Sequence, residues 1–149
     1  MNDIQPPGKS PLRFLPPVAR VLMGLVFFVF GLNGFFHFMP EPKEAMPEGA
    51  TALMTGFLKS GYMMPLISGT ETLVGLLLLI NCFVPLALAF IAPVIVNIIC
   101  FHLVLMPSTI VPGIVVLVLE LYLAWAYRQV FKPMLAWRVK PRAGGDVKS

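Results

Sequence analysis

From Val84 to Leu105 the chain reads VPLALAFIAPVIVNIICFHLVL, without one Asp, Glu, Lys or Arg. At ~1.5 Å of rise per residue, a helix over this stretch crosses the ~30 Å hydrocarbon core of a bilayer. A helix apolar on every side belongs in a membrane or deep inside a large protein, and a chain of 149 residues is too short for the second. Three more runs share this character, so the expected spans are residues 18–38, 62–80, 84–105 and 109–129. Composition agrees: 12% of the residues are charged, against ~25% in soluble domains. The expected fold is all-α, a membrane four-helix bundle. Pro65, Pro93 and Pro112 fall inside runs, which neighbouring helices in a bilayer tolerate.

Charge sets the expected orientation. Lys9, Arg13 and Arg20 precede or open the first run, and Arg128, Lys132, Arg138, Lys140, Arg142 and Lys148 follow or close the last. The segment after the first run has only Lys43 and Lys59 against Glu41, Glu44 and Glu48. Basic flanks stay cytoplasmic. Both termini are therefore expected inside, which an even number of spans allows. Trp125, Tyr127 and Trp137 fall where an inner aromatic belt is expected. The net charge of +4 reads as this topology signal and not as a nucleic-acid footprint. The first run is too long for a signal-peptide core and lacks a small-x-small cleavage site, so it is expected to remain as a span.

Three segments follow. Residues 1–17 form a proline-rich cytoplasmic arm, residues 18–131 the transmembrane domain, and residues 132–149 a basic cytoplasmic tail. The links after the second and third spans are very short, so spans two to four form consecutive antiparallel hairpins. The long link, residues 39–61, opens with MPEPKEAMP and continues EGATALMTGFLKSG. Ala50, Leu53, Met54, Phe57 and Leu58 recur at helical spacing, with Pro47 as a start signal and Gly61 as a stop. A short amphipathic helix is expected there, at the outer interface or capping the bundle. Cys82 and Cys100 lie ~24 Å apart along the helix axis, too far for a disulfide.

Polar residues inside the runs are the candidate site. Glu71 sits in ISGTETLVGLLLLI, nine residues from either end of its run, and Glu120 near the middle of the fourth. A carboxylate there costs at least ~2.5 kcal/mol and is a functional candidate by default. Two carboxyls close together in a low-dielectric interior are seldom both charged. Ser68, Thr72 and Gly75 share a side with Glu71; Gly113, Val116 and Ala124 share one with Glu120; Pro93 and Cys100 share one with Asn97. Small neighbours allow close approach. The expectation is one polar pocket of Glu71, Glu120 and Asn97, with Ser68 and Thr72 beside it and Asn33 and His37 towards the outer face. The alternative is that these groups only join helices. Two histidines, His37 and His102, and a carboxylate could make a metal set, but no HxxH or HExxH spacing is present and their depths differ. No metal is expected. Arg20, near the inner end, is a weak candidate partner for Glu71.

ARVLMGLVFFVFGLNGFFHF and SGTETLVGLLLLINCFVPLALAFIAPVIVNI resemble the first, second and third helices of DoxX-like membrane proteins. Arg20, Gly24, Gly31, Glu71 and Gly75 are the matching positions; the usual lysine after the first helix is absent, and Asn33 and His37 occupy its neighbourhood. The resemblance implies a multi-pass protein of a bacterial-type cytoplasmic membrane. Some relatives are linked to thiosulfate:quinone oxidoreduction or oxidative-stress complexes, others to receptor assembly. The function implied is an accessory subunit of a redox or quinone-linked membrane process, with a lipophilic ligand between helices. Rossmann glycines, a haem CxxCH and iron–sulfur spacing are absent from the sequence, so any bound redox cofactor is expected to be quinone-like or supplied by a partner. The competing reading is a scaffold or assembly factor, with a membrane partner or a homo-oligomer; a small-solute transporter ranks behind both.

Overall fold

The computed structural model describes residues 11–40, 45–135 and 137–138. The first ten residues of the arm, Lys43 and most of the basic tail lie outside the described residues. Among the described residues the structure is all-helical and contains no strand.

Helix α1 (Leu15–Phe36) starts with prolines in its first turn, where a missing N–H costs nothing. It ends at His37, whose left-handed backbone lets its N–H reach the Asn33 carbonyl at 2.8 Å. The Asn33 side chain closes the same end by accepting the Met39 N–H at 2.7 Å. Helix α2 (Glu48–Ser60) begins after Pro47 and stops at Gly61, at φ 74°, a conformation that suits glycine. The next helix, α3 (Met63–Leu79), leaves α2 at a bend of 90°.

Helices α4 (Val84–Val104) and α5 (Ile110–Ala126) follow, joined by a 3₁₀ turn at Pro107–Thr109. A short helix α6 (Arg128–Phe131) and a 3₁₀ turn end the described chain. Among the described residues Pro93 is the one proline in a helix interior; Pro65 and Pro112 fall in the first turns of α3 and α5. The first expected span begins three residues earlier, at Leu15, and the ends of the others draw in by up to three residues, most at the close of the fourth, where α5 gives way to α6.

Helices α1, α4 and α5, the last counted with its 3₁₀ turn, are long and apolar enough to cross a membrane, and α3 makes a fourth span if it counts with α2. In the bundle α1 touches α3 and α5, and α4 touches the same two, so α3 and α5 occupy opposite corners. The core is built by Met23 and Phe27 of α1, Val74 and Leu78 of α3, Leu88, Ile91 and Ile95 of α4, and Leu123 of α5.

The seam between α1 and α3 is the tightest. A Cβ on Gly75 would run into the backbone of Phe28, and one on Gly31 into the backbone of Thr72. Glycine is needed at both because the helices touch backbone to backbone. In contrast, α2 meets the bundle through its first turn: Ala50 is wholly buried and Gly49 abuts Leu105. Leu53, Met54 and Phe57 are half-buried as its spacing suggests, while Leu58 is exposed.

Candidate functional site

Two carboxyls stand at the centre of buried helix stripes. At 100° per residue, Val74, Leu78, Gly75 and Ser68 all fall within about 60° of Glu71 on α3. All four are buried, and Glu71 between them is half-buried. Gly113, Val116 and Leu123 bracket Glu120 on α5 in the same way and are buried too. Helices α3 and α5 run in the same direction, each antiparallel to α4. Glu71 lies about 12 Å, and Glu120 about 15 Å, from the start of its helix by helical rise. Opposite corners and similar depth bring both carboxyl-bearing positions towards the bundle axis.

Glu120 is only 8% exposed. Its Oε2 has no hydrogen-bond partner among the described residues. Buried polar atoms in proteins are nearly always satisfied, so an orphan of this kind marks a place where a proton, an ion or a ligand group belongs. Val116 and Leu123, its buried neighbours along the same stripe of α5, are apolar.

Ser68 and Thr72 sit beside this axis in the α1–α3 seam. Ser68 is 2% exposed, with its hydroxyl against Gly34, where a Cβ would displace it. The Thr72 hydroxyl donates to the Ser68 carbonyl at 2.7 Å, so it is spent within its own helix. Asn33 and His37 close the far end of α1 as described, and His37 is exposed. His102 donates from Nδ1 to the Ile98 carbonyl at 2.7 Å and is half-buried near Gly113. Among the described residues, no three His, Cys, Asp or Glu side chains come together as a metal set. Both cysteines are free.

Asn97 departs from the expected pocket. It is exposed on α4, as are Pro93 and Cys100 on the same face. The buried stripe of α4 is instead Val84, Ala87, Leu88, Ile91 and Ile95. Small neighbours pointed to an inward face here, but β-branched and leucine side chains with Ala87 fill the core, and Pro93 and Cys100 turn out.

Arg20, a weak candidate partner for Glu71, bonds instead to the backbone at the end of α3. It is buried at the start of α1, and its Nη1 donates to the carbonyl of Leu78 and, at 3.4 Å, to that of Leu79. The last carbonyls of a helix have no intrahelical donor and carry partial negative charge. A cation there satisfies both needs. The signal was available: antiparallel packing sets the start of α1, with its lone arginine, beside the end of α3.

A shallow groove of about 160 Å³ opens on the α3–α4 flank, lined by Thr70, Leu73, Val74, Leu77, Leu86, Ala87 and Phe90. It is smaller than the ~300–1,000 Å³ of enclosed small-molecule sites. Neither Glu71 nor Glu120 lines it, although Thr70 at the groove and Glu71 at the core are neighbours on α3.

Neither a curated protein nor a solved structure matches the chain significantly. The DoxX family model matches residues 15–103, which takes in α1 to α4 with the glycine seam, Arg20 and Glu71. That match covers more than half of the chain, and with the all-helical apolar bundle it makes this a multi-pass membrane protein of the DoxX family.

Proposed function

We propose that the protein is an accessory subunit of a quinone-linked redox process, in which Glu71 and Glu120 hold and hand over protons. The observation that carries this reading is the buried Glu120 carboxyl, orphaned at mid-span. Reduction of a quinone to its quinol takes up two electrons and two protons. A partner reductase supplies the electrons; the two protons come from water at the membrane surface, and Glu120 and Glu71 relay them to the α3 flank, each carboxyl taking up a proton again after giving one. The groove at Thr70, Leu73 and Phe90 takes the quinone ring edge-on, with the tail in lipid.

The orientation belongs to the same reading. Helix α3, at 17 residues, spans about 25 Å alone and crosses as the second of four spans, with both termini cytoplasmic. Helix α2 then lies in the outer interface, which its 90° bend from α3 supports. An impermeant thiol reagent applied to intact cells should label a cysteine placed at Lys43; protection there, with labelling only in inverted vesicles, would reverse the orientation.

The functional test is binding of a short-tailed quinone analogue to the purified full-length protein. Saturable binding is expected, and Leu73→Trp should weaken it by filling the groove. Glu120→Gln should keep binding and lose quinone-linked turnover in native membranes. Absence of both co-purifying quinone and saturable binding would sink the proposal. A scaffold role draws on a different feature, the Asn97 amide exposed on the otherwise apolar outward face of α4.

A further inference from the structure

Three core-facing stripes end together where α2 crosses the bundle. On α4, Ile91, Ile95, Ile98 and His102 fall within about 60° of one another at 100° per residue. His102 is therefore the last member of the buried stripe, and it is half-buried. On α3, Met64 lies about 20° from Glu71 by the same count and is half-buried. On α2, Met54 lies about 40° from Ala50; Ala50 is wholly buried and Met54 half-buried. Helix α2 bridges this mouth, since its start abuts Leu105 at the end of α4 and its end meets α3 at the 90° bend. Met54 and Met64 thus share the inside corner of the bend. Side chains lean towards the N-terminus of their own helix. His102 on α4 leans into the bundle, and Met64 on the antiparallel α3 leans out towards it. Packed helix axes stand ~8–10 Å apart, within the joint reach of a methionine and a histidine.

The His102 ring is set for a ligand. Its Nδ1 donates to the Ile98 carbonyl at 2.7 Å, which fixes the tautomer and leaves Nε2 with a lone pair. Metal-binding histidines are oriented by this kind of second bond to a backbone carbonyl. Two thioether sulfurs and an imidazole are soft, neutral donors, a set that the two-histidine reading of the sequence did not include. Calcium and magnesium need oxygen ligands, and the carboxyl of α3, on Glu71, lies seven residues deeper, ~10.5 Å by rise. Neutral donors in an apolar setting favour an ion of single charge, and soft thioether ligands select copper(I). Methionine is concentrated at this end of the bundle: of the nine in the chain, Met39, Met46, Met54, Met63, Met64 and Met106 lie on α2, beside it or at the α4–α5 turn. We propose that Met54, Met64 and His102 form a copper(I) site at the mouth of the bundle, beneath α2. The site is separate from the α3–α4 groove and does not depend on a quinone there.

The experiment uses the full-length protein with Cys82→Ser and Cys100→Ser, because both thiols are free and exposed and would take copper(I) themselves. Titrated anaerobically with copper(I) against bicinchoninate in mild detergent, it should bind one equivalent. Its melting temperature should rise with the metal, as for any ligand that binds the folded state. X-ray absorption at the copper edge should show sulfur and nitrogen neighbours. Met54→Leu and Met64→Leu conserve volume and fold. Each should weaken binding at least about tenfold, a loss that even outer-shell changes cause, and so should His102→Gln. Met134→Leu, exposed at the opposite end, should bind as the parent does. No uptake of copper(I) beyond a detergent blank, or a coordination shell without sulfur, overturns the proposal. So does a loss in Met134→Leu as large as in Met54→Leu, or full affinity in both the Met54→Leu and Met64→Leu proteins.

Discussion

The α1–α3 seam and the outward face of α4 both set polar groups in an apolar setting, and they treat them in opposite ways. In the seam every polar side chain has its use. Arg20 holds the last carbonyls of α3, Thr72 donates to its own helix, and Ser68 packs against Gly34. Glycines bring the backbones together so that short polar groups are shielded. On the outward face of α4 the Asn97 amide stands exposed, with aromatic and aliphatic neighbours and no glycine. The seam is completed within the chain, while the α4 face is turned outward from the bundle. The difference teaches that a polar residue in a span reports on packing only when its neighbours are known: the same residue class is enclosed in one helix seam and left exposed on another face.

The sharpest way to break this contrast is to add bulk to the seam. Gly75→Leu forces side-chain atoms into the Phe28 backbone. Overpacking of this kind costs about 3 kcal/mol or more where backbone must move, so folded protein recovered in mild detergent should fall steeply. Unchanged recovery and melting would show that α1 and α3 are not in backbone contact. Arg20→Met comes next. It strips hydrogen bonds from a charged donor to buried carbonyls, worth roughly 1.5–3 kcal/mol, and should lower the melting temperature. Arg20→Lys should restore part of the loss, and an unaltered melt in Arg20→Met would remove the clamp from the account.

Glu120→Gln tests the core from another side. The swap keeps shape and leaves stability within about 1 kcal/mol, yet quinone-linked turnover should drop roughly tenfold or more, as loss of a proton-transfer group does. Equal turnover would leave the carboxyl with no proton role. The smallest effects are expected where nothing presses on the chain. A Cβ on Gly56 in α2 meets nothing within 4 Å. Gly56→Ala should therefore be neutral or stabilise by up to ~1 kcal/mol through the chain's lost freedom. A marked loss would mean that α2 is covered on that side by something the isolated chain lacks.

Helix α2 was legible almost to the residue, because Pro47 and Gly61 are local signals that act whatever surrounds them. The helix-end role of Asn33 was not. A mid-span amide and an end-of-helix amide differ only in where the helix stops, and α1 stops at Phe36 because His37 turns left-handed. Glu71 and Glu120 were picked out correctly as central to their helices, since depth can be counted along a chain. Their lack of an ion-pair partner could not be counted: Arg20, the cation weighed as a partner for Glu71, is held by the carbonyls of α3.

By itself the sequence determined that this is a set of long apolar helices, where most of them begin and end, and at what depth each polar group lies. Those properties follow from hydrophobic length, proline and glycine punctuation, and helical rise, all of which are local. Only the tertiary structure decided which face of each helix turns in. In water a helix declares its inner face by being polar on the other. In a bilayer both faces are apolar, so the choice rests on how side chains interlock, and that placed Glu120 at the centre of the bundle and Asn97 on its outside.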